Sequence, residues 1–277
     1  MSILFLSDID GTLVNDRGIA SEVKEALDKY VRCGNYFSLA TGRHAFGIQW
    51  IIDQIQVNAP CIVLTGAAVY DPITKNLINA KPVHENTKIL LKQLLEGYPE
   101  IGIQVFTDSG LCNLRLNPFL QKNGISEEIA CGISRIEDLA DKEILKIGLC
   151  CEDTGKIESA IDRLFSDRKQ YNWHYSFVIA AEVFSPTTSK GIAIQTIIES
   201  LSEKPDIIAV AGDSPNDLSM FKYADITFAP ETAFQEVRDA ADYIIPPPDR
   251  GGIAQALNML MQDTTIMKKT RINNSNI

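Results

Sequence analysis

The 277-residue sequence predicts an α/β fold, a mostly parallel sheet into which a separate α+β unit is inserted. Three observations carry that reading. Short apolar runs alternate with amphipathic segments through the first third of the chain, as strand and helix do in βαβ units. The same rhythm returns after residue 190. Between the two lies a stretch with a hairpin signal and consecutive short strands, a pattern of antiparallel pairing.

Taken in order, Ile3 to Ser7 predicts a strand buried on both faces, because its apolar residues do not alternate with polar ones. Ser21 to Cys33 predicts an amphipathic helix, Tyr36 to Ala40 a strand, Ala45 to Ile55 a helix and Cys61 to Leu64 a strand. Short connections between them imply right-handed crossovers. In the middle, Ile101 to Phe106 and Leu111 to Leu116 flank the turn Thr107-Asp108-Ser109-Gly110. A strand at Ile144 to Cys151, a helix at Thr154 to Phe165, and strands near Tyr171 to Phe177 and Ile179 to Phe184 follow. The late rhythm reads helix Gly191 to Leu201, strand Ile207 to Ala211, helix Leu218 to Tyr223 and strand Ile226 to Ala229. The expected division is a core from 1–81 and 185–262, an insert at 82–184 with Pro82 and Pro186 as punctuation, and a flexible tail at 263–277. There is no internal repeat.

Apolar content of 45% and charged content of 22% are globular values. A formal charge of -10 opposes attraction to nucleic acid and to anionic lipid, so neither is an expected partner. An anionic ligand must then be attracted locally, by donors, a lysine or a metal ion. The six cysteines Cys33, Cys61, Cys112, Cys131, Cys150 and Cys151 form no Cys-x-x-Cys pattern, and adjacent Cys150 and Cys151 on a strand would face opposite ways. Buried thiols in a reducing cytoplasm are the expectation, since there is no basic leader and no apolar stretch long enough to span a membrane.

In open α/β sheets the ligand site lies beyond the carboxyl ends of the strands, so the residues closing each apolar run identify the chemistry. They are Asp8 and Asp10 of Asp8-Ile9-Asp10-Gly11-Thr12, Thr41-Gly42-Arg43, Thr65-Gly66-Ala67, and Gly212-Asp213-Ser214 with Asp217 beyond. Two carboxylates about 4 Å apart repel by roughly 4 kcal/mol at an effective dielectric of about 20, so such a cluster stays ionised only beside a cation. Oxygen ligands without histidine or thiolate select Mg2+. Lys190, in Ser189-Lys190-Gly191 at a helix start, adds positive charge. Carboxylate, metal, lysine and threonine hydroxyl suit phosphoryl transfer, with Asp8 the candidate nucleophile and Asp10 the candidate general acid and base.

These segments, in this chain order, resemble the signature motifs of the haloacid dehalogenase superfamily. The insert between the threonine and lysine motifs resembles the Cof-type phosphatases with a type C2B cap. That resemblance implies a Rossmann-like core under a mobile lid, hydrolysing small phosphorylated metabolites, sugar phosphates above all, with Mg2+. It also implies roles: Asp8 as nucleophile and metal ligand, Asp10 as acid/base that ligates metal through its backbone carbonyl, and Thr41 holding phosphate. Lys190 neutralises charge, Asp213 binds metal, Asp217 is a metal ligand or supports one, and Asn216 assists near Lys190 or the phosphate. With Gly42 and Arg43 these form the expected phosphate-binding set, although Arg43 reads equally as an exposed helix-start residue. Thr65 stands where relatives often carry asparagine, Glu231 follows Pro230, and Pro246-Pro247-Pro248-Asp249-Arg250 replaces an Asn-rich stretch, so no relative's substrate transfers directly.

His44, His84 and His174 share no metal spacing and read as structural, whereas Arg115, Lys146, His174 and Glu182 are polar residues of the insert able to read a substrate. Besides a phosphatase, the motifs admit a phosphomutase or phosphotransferase and, from another class, a non-enzymatic aspartyl-phosphate switch. The insert and Asp10 argue against the switch. Oligomeric state is not encoded in these patterns.

Overall fold

The computed structural model of the protein describes residues 1–16, 18–124, 131–175 and 181–262. The expected tail at 263–277, and the parts of the two late strands of the insert that fall on 176–180, lie outside the described residues. The chain forms two compact units, one of Met1–Ile78 with Ser189 onward, the other of Asn79–Thr188.

The first unit begins with β1 (Ile3–Ser7), α1 (Ser21–Arg32), β2 (Tyr36–Leu39), a short α2 (Gln49–Ile52), β3 (Cys61–Val63) and β4 (Ala68–Asp71), and β5 (Asn76–Ala80) runs across the division at residues 78 and 79. The second contains α3 (Thr87–Gly97), β6 (Gly102–Thr107), β7 (Gly110–Arg115), α4 (Pro118–Asn123), β8 (Ile144–Cys150), α5 (Thr154–Leu164), β9 (Asn172–His174) and β10 (Ala181–Phe184). The chain then returns to the first unit with α6 (Lys190–Ser200), β11 (Ile207–Ala211), α7 (Leu218–Phe221), β12 (Ile226–Pro230), α8 (Gln235–Ala240), β13 (Tyr243–Ile245) and α9 (Gly252–Gln262).

In the first unit five parallel strands run in the order β13-β12-β11-β1-β2. β1 is central, and Ile3, Leu4, Phe5 and Leu6 are at most 2% exposed, which is why the run is apolar without alternation. Phe5 packs edge-on against Tyr30 and Phe228 and stacks on Phe37, and burying one such ring stabilises the fold by about 2–3 kcal/mol. α1 buries Val23, Ala26, Leu27 and Tyr30, the spacing of one helical face. A smaller antiparallel sheet, β3-β4-β5, continues beyond β2, linked to it by the bridge between Ala40 and Ile62.

The expected helix at Ala45 to Ile55 is instead a 3-10 turn, Ala45–Ile48, followed by the one-turn α2. Gly47 inside the segment weakens helical propagation, and the side chain of His44 caps the turn by accepting from the Phe46 N–H.

The second unit is an antiparallel sheet, order β7-β6-β8-β10-β9. Ile103, Val105, Ile147, Leu149 and Val183 of one face pack with Leu91 and Leu94 of α3 and Ile157 and Ile161 of α5. The expected hairpin is β6-β7. Arg115 at its end turns back to α3, donating from Nη1 to the carbonyls of Tyr98 and Ile101 and from Nη2 to that of Leu95 at 2.6 Å, which satisfies orphan carbonyls at that helix end.

Candidate active site

The ends of β1, β2 and β11 lie at the carboxyl edge of the parallel sheet, and the end of β3 lies beside that of β2. β1 runs into Asp8, whose N–H donates to the Ala211 carbonyl at 2.9 Å, so β1 and β11 stay paired up to the acidic residues. The chain then turns at Gly11, where φ is +85° and a Cβ would sit 2.6 Å from the Asp213 carboxylate. Only glycine allows both the left-handed turn and that approach. Thr12 closes the contact by donating from Oγ1 to Asp213 Oδ1 at 3.0 Å.

Lys190 opens α6 behind Ser189, whose Oγ accepts from the Ile192 N–H and so caps the helix. Its side chain is 1% exposed, and Nζ lies 2.6 Å from Asp8 Oδ1 and 2.6 Å from Asp217 Oδ1. The second oxygen of Asp217 accepts from the N–H groups of Asp213 and Ser214 and from the Ser214 hydroxyl. Asp217 thereby braces the loop that carries Asp213. The Asn216 side chain accepts from Ser214 Oγ at 2.8 Å and its carbonyl from Ser219 Oγ, contacts that shape the same loop.

Thr41 is buried; its Oγ1 accepts from the Arg43 N–H, and its carbonyl accepts from the Thr65 N–H. The Leu64 N–H donates to the Arg43 carbonyl, so the segments at 41–43 and 64–66 are laced together. Leu64, Thr65 and Gly66 all have left-handed backbones, with φ of 51°, 60° and 92°. A Cβ on Gly66 would meet the Ser189 carbonyl at 2.2 Å, so this strained turn presses directly against the start of α6. Sequence reasoning placed Thr65-Gly66-Ala67 at a strand end but gave no sign of this strain.

Burial raises the Asp8 carboxyl well above its ordinary value, and Asp217 and Asp213 push it further while Lys190 opposes them. Burial, then Asp217, pushes Asp213 up to about 6 against the hydrogen bond from Thr12. Burial disfavours charge on Lys190, yet Asp217 and Asp8 together hold it protonated above the usual lysine range. The arrangement therefore has more negative charge than its single ammonium balances.

Ligand oxygens of Asp8, Asp213 and Asp217 lie within 4.8 Å of one another. An all-oxygen set with surplus negative charge fits a hard divalent cation. The Asp10 carboxylate is not in this group: it points to Arg43, whose Nε and Nη2 grip Oδ2 and Oδ1 at 2.9 and 2.8 Å. The structure thus gathers Asp8, Asp213 and Asp217 into one cluster, pairs Lys190 with Asp8 and Asp217, and ties Asp10 to Arg43.

In the second unit the polar residues singled out as substrate readers have partners of their own. Lys146 Nζ pairs with Glu182 Oε1 at 2.8 Å and lies over the Phe106 ring, and Glu182 Oε2 is 3.4 Å from His174 Nε2. Lys146 and His174 hold the Glu182 carboxyl well below its usual range despite burial. Nδ1 of His44 and Nδ1 of His84 each accept from a backbone N–H two residues on.

A parallel sheet whose edge gathers a buried aspartate, a lysine and an acidic loop defines the class as a protein of phosphoryl-transfer chemistry. The chain belongs to the haloacid dehalogenase-like hydrolase family, whose pattern matches residues 5–257. It is a Cof-type phosphatase of that superfamily. Among its relatives, the 5-amino-6-(5-phospho-D-ribitylamino)uracil phosphatase YwtE of Bacillus subtilis is 26% identical over 92% of this chain and 96% of its own length. A second B. subtilis protein with the same activity in its name, YcsE, is 24% identical over 92% and 94%. A haloacid dehalogenase-like hydrolase from Bacteroides thetaiotaomicron superposes with a TM-score of 0.80 at 23% identity, covering 94% of this chain and 100% of that one. The subclass IIB sugar phosphatase BT4131 superposes with a TM-score of 0.76 at 21% identity, over 94% and 99%. Among the described residues no helix is long and apolar enough to cross a membrane. Cys61, Cys112, Cys150 and Cys151 are buried thiols, whereas Cys33 and Cys131, expected to be buried, are exposed because they lie outside the apolar strands.

Proposed function

We propose that the chain is a Mg2+-dependent phosphatase that cleaves a phosphorylated sugar or sugar alcohol through an aspartyl phosphate on Asp8. The observation that carries this reading is the buried Lys190 ammonium, 2.6 Å from Asp8 and from Asp217. It neutralises one oxygen of the Asp8 carboxylate inside the acidic cluster, as a nucleophile approaching an anionic phosphate needs.

Asp8 attacks phosphorus, and Asp10 donates a proton to the departing oxygen and later takes one from the attacking water. Thr41 and the backbone at Gly42 hold the phosphate, with Asn216 shaping the loop opposite, and Lys190 balances charge on nucleophile and phosphate. Asp8 and Asp213, with the Asp10 carbonyl, would hold Mg2+, which neutralises charge developing on the phosphoryl oxygens. Asp217 serves as their brace and as a ligand of lesser weight.

The substrate class follows from relatives. YwtE and YcsE are named for a phosphate carried on a ribityl chain, and BT4131 is a sugar phosphatase. Both descriptions put phosphate on a polyhydroxylated carbon chain. Specificity constants measured across hexose phosphates, pentitol phosphates, nucleotides and vitamin phosphates test this, with chelator and added Mg2+ as a second axis. Preference for sugar or polyol phosphates, lost on chelation and restored by Mg2+, is the expected result. A preference for nucleotides, or indifference to chelation, would contradict the proposal.

A further inference from the structure

We propose that Arg43 is a positioning residue for proton transfer, its guanidinium fixing the direction in which the Asp10 carboxylate points. The proposal rests on the roles of Asp8 and Asp10 stated above and assigns Arg43 to Asp10 in place of the phosphate.

The acidic groups of the site are held by different means. Asp8 has Lys190, Asp217 has Lys190 and two backbone N–H groups, and Asp213 has Thr12. The Asp10 side chain is 55% exposed, and among the described residues Arg43 is the partner of its carboxylate. An exposed aspartate otherwise samples several staggered rotamers. Two parallel N–H to oxygen bonds fix both the position and the plane of the carboxylate, which a lysine ammonium does not do.

Arg43 is itself anchored. Its side chain is 17% exposed, its N–H donates to Thr41 Oγ1 at 3.1 Å, and Nη1 donates to the Gly47 carbonyl at 3.3 Å. Its stem runs beside Gly47, where an added Cβ would lie 3.6 Å from Arg43 Cβ. The backbone of 41–43 is fastened by the N–H groups of Leu64 and Thr65. One laced segment therefore presents the Thr41 hydroxyl and, two residues on, the fork that aims Asp10.

The two half-reactions expose this role. In the first, an Asp8 oxygen bonds to phosphorus, the bond from phosphorus to the leaving oxygen breaks, and a proton moves from the Asp10 carboxyl to that oxygen. In the second, water oxygen bonds to phosphorus, the bond to Asp8 breaks, and the water proton returns to Asp10. A nitrophenolate leaves without a proton, so with p-nitrophenyl phosphate the first half-reaction bypasses Asp10 and the second does not.

Rapid-mixing kinetics with p-nitrophenyl phosphate and Mg2+ are measured on the full chain and on Arg43→Gln, Arg43→Lys, Arg43→Ala and Asp10→Asn, each checked for an unchanged thermal transition. The expected result for Arg43→Gln is a burst of about one nitrophenolate per active site at a rate within about threefold of the parent. The steady rate that follows falls about tenfold to a hundredfold, the size of a general acid–base contribution partly lost. Inhibition by inorganic phosphate stays the same, Arg43→Lys recovers little, and dissolved guanidinium restores part of the steady rate in Arg43→Ala. A slowed burst with weakened phosphate inhibition would make Arg43 a phosphate ligand and overturn the proposal, as would a steady rate within threefold of the parent. Asp10→Asn separates the two claims. If it turns over normally, the acid/base reading of Asp10 falls; if it keeps the burst but loses the steady rate while Arg43→Gln loses neither, only the role of Arg43 falls.

Discussion

Replacing Lys190 by methionine removes the ammonium from the site while keeping a side chain of similar length. Nζ lies 2.6 Å from Asp8 and 2.6 Å from Asp217, all three groups buried. At an effective dielectric of about 20 each contact is worth roughly 6 kcal/mol before the cost of taking the charges out of water, which removes most of it. What remains is the effect of breaking a buried pair, about 3–5 kcal/mol of destabilisation. The variant leaves three carboxylates with ligand oxygens within 4.8 Å of one another and no resident cation, so the loss should be largest where they ionise. Urea unfolding in chelator at about pH 8 and about pH 5 should therefore show the larger deficit at the higher pH. Near pH 5 protons replace the missing charge and the deficit shrinks. A deficit below about 1 kcal/mol at the higher pH, or one independent of pH, would refute this account of how Lys190 is held.

Thr65 is β-branched and left-handed, with φ 60° and ψ 25°, a conformation that costs an ordinary residue about 1–2 kcal/mol and asparagine less. Thr65→Asn should raise unfolding stability by about 1 kcal/mol, and a loss of that size in urea unfolding would mean that the threonine side chain matters more than the strain. Asp213 titrates near 6 in the fold, above the value of about 3.9 for a free aspartate, so protonation favours the native state. That contribution is complete below about pH 4 and is lost as pH rises through about 6, which makes the metal-free protein less stable at neutral pH. Added Mg2+ should then raise the thermal transition more at about pH 8 than at about pH 4.5, and equal shifts at both would argue against a cation among these carboxylates.

Reading the fold from the sequence succeeded where one physical rule dominates. The apolar run before Asp8 has no alternation because β1 is buried on both faces, and α1 shows its buried face as Val23, Ala26, Leu27 and Tyr30. It held only in part at residues 45–55, where Gly47 and the His44 cap make the first turn 3-10 and the α-helix is confined to Gln49–Ile52. The strands β4 and β5 and the helices α3 and α9 were not anticipated, since β5 is half exposed and none of them ends in a residue with evident chemistry.

The site was legible in its acidic residues and its lysine, because their chain order follows the strand ends. Pairings were not legible. Arg43 and Asp10 are 33 residues apart and meet only once two strand ends lie side by side. Lys146 and Glu182 meet through the antiparallel pairing of β8 with β10, a register that nothing in either segment announces. Arg43 reads from the sequence as a phosphate contact or an exposed helix-start residue, and Lys146 and Glu182 as candidate substrate readers; the structure shows each paired with another side chain.

The most direct test of the central claim is to stop turnover with acid within milliseconds and locate the phosphoryl group by mass spectrometry of the digested chain. With p-nitrophenyl phosphate as substrate, the account predicts one acid-stable, hydroxylamine-labile phosphoryl group on the peptide containing Asp8, absent from Asp8→Asn and accumulating in Asp10→Asn. A phosphoryl group on Thr41 or any other residue, or rapid turnover with no labelled Asp8 at any time point, would contradict it.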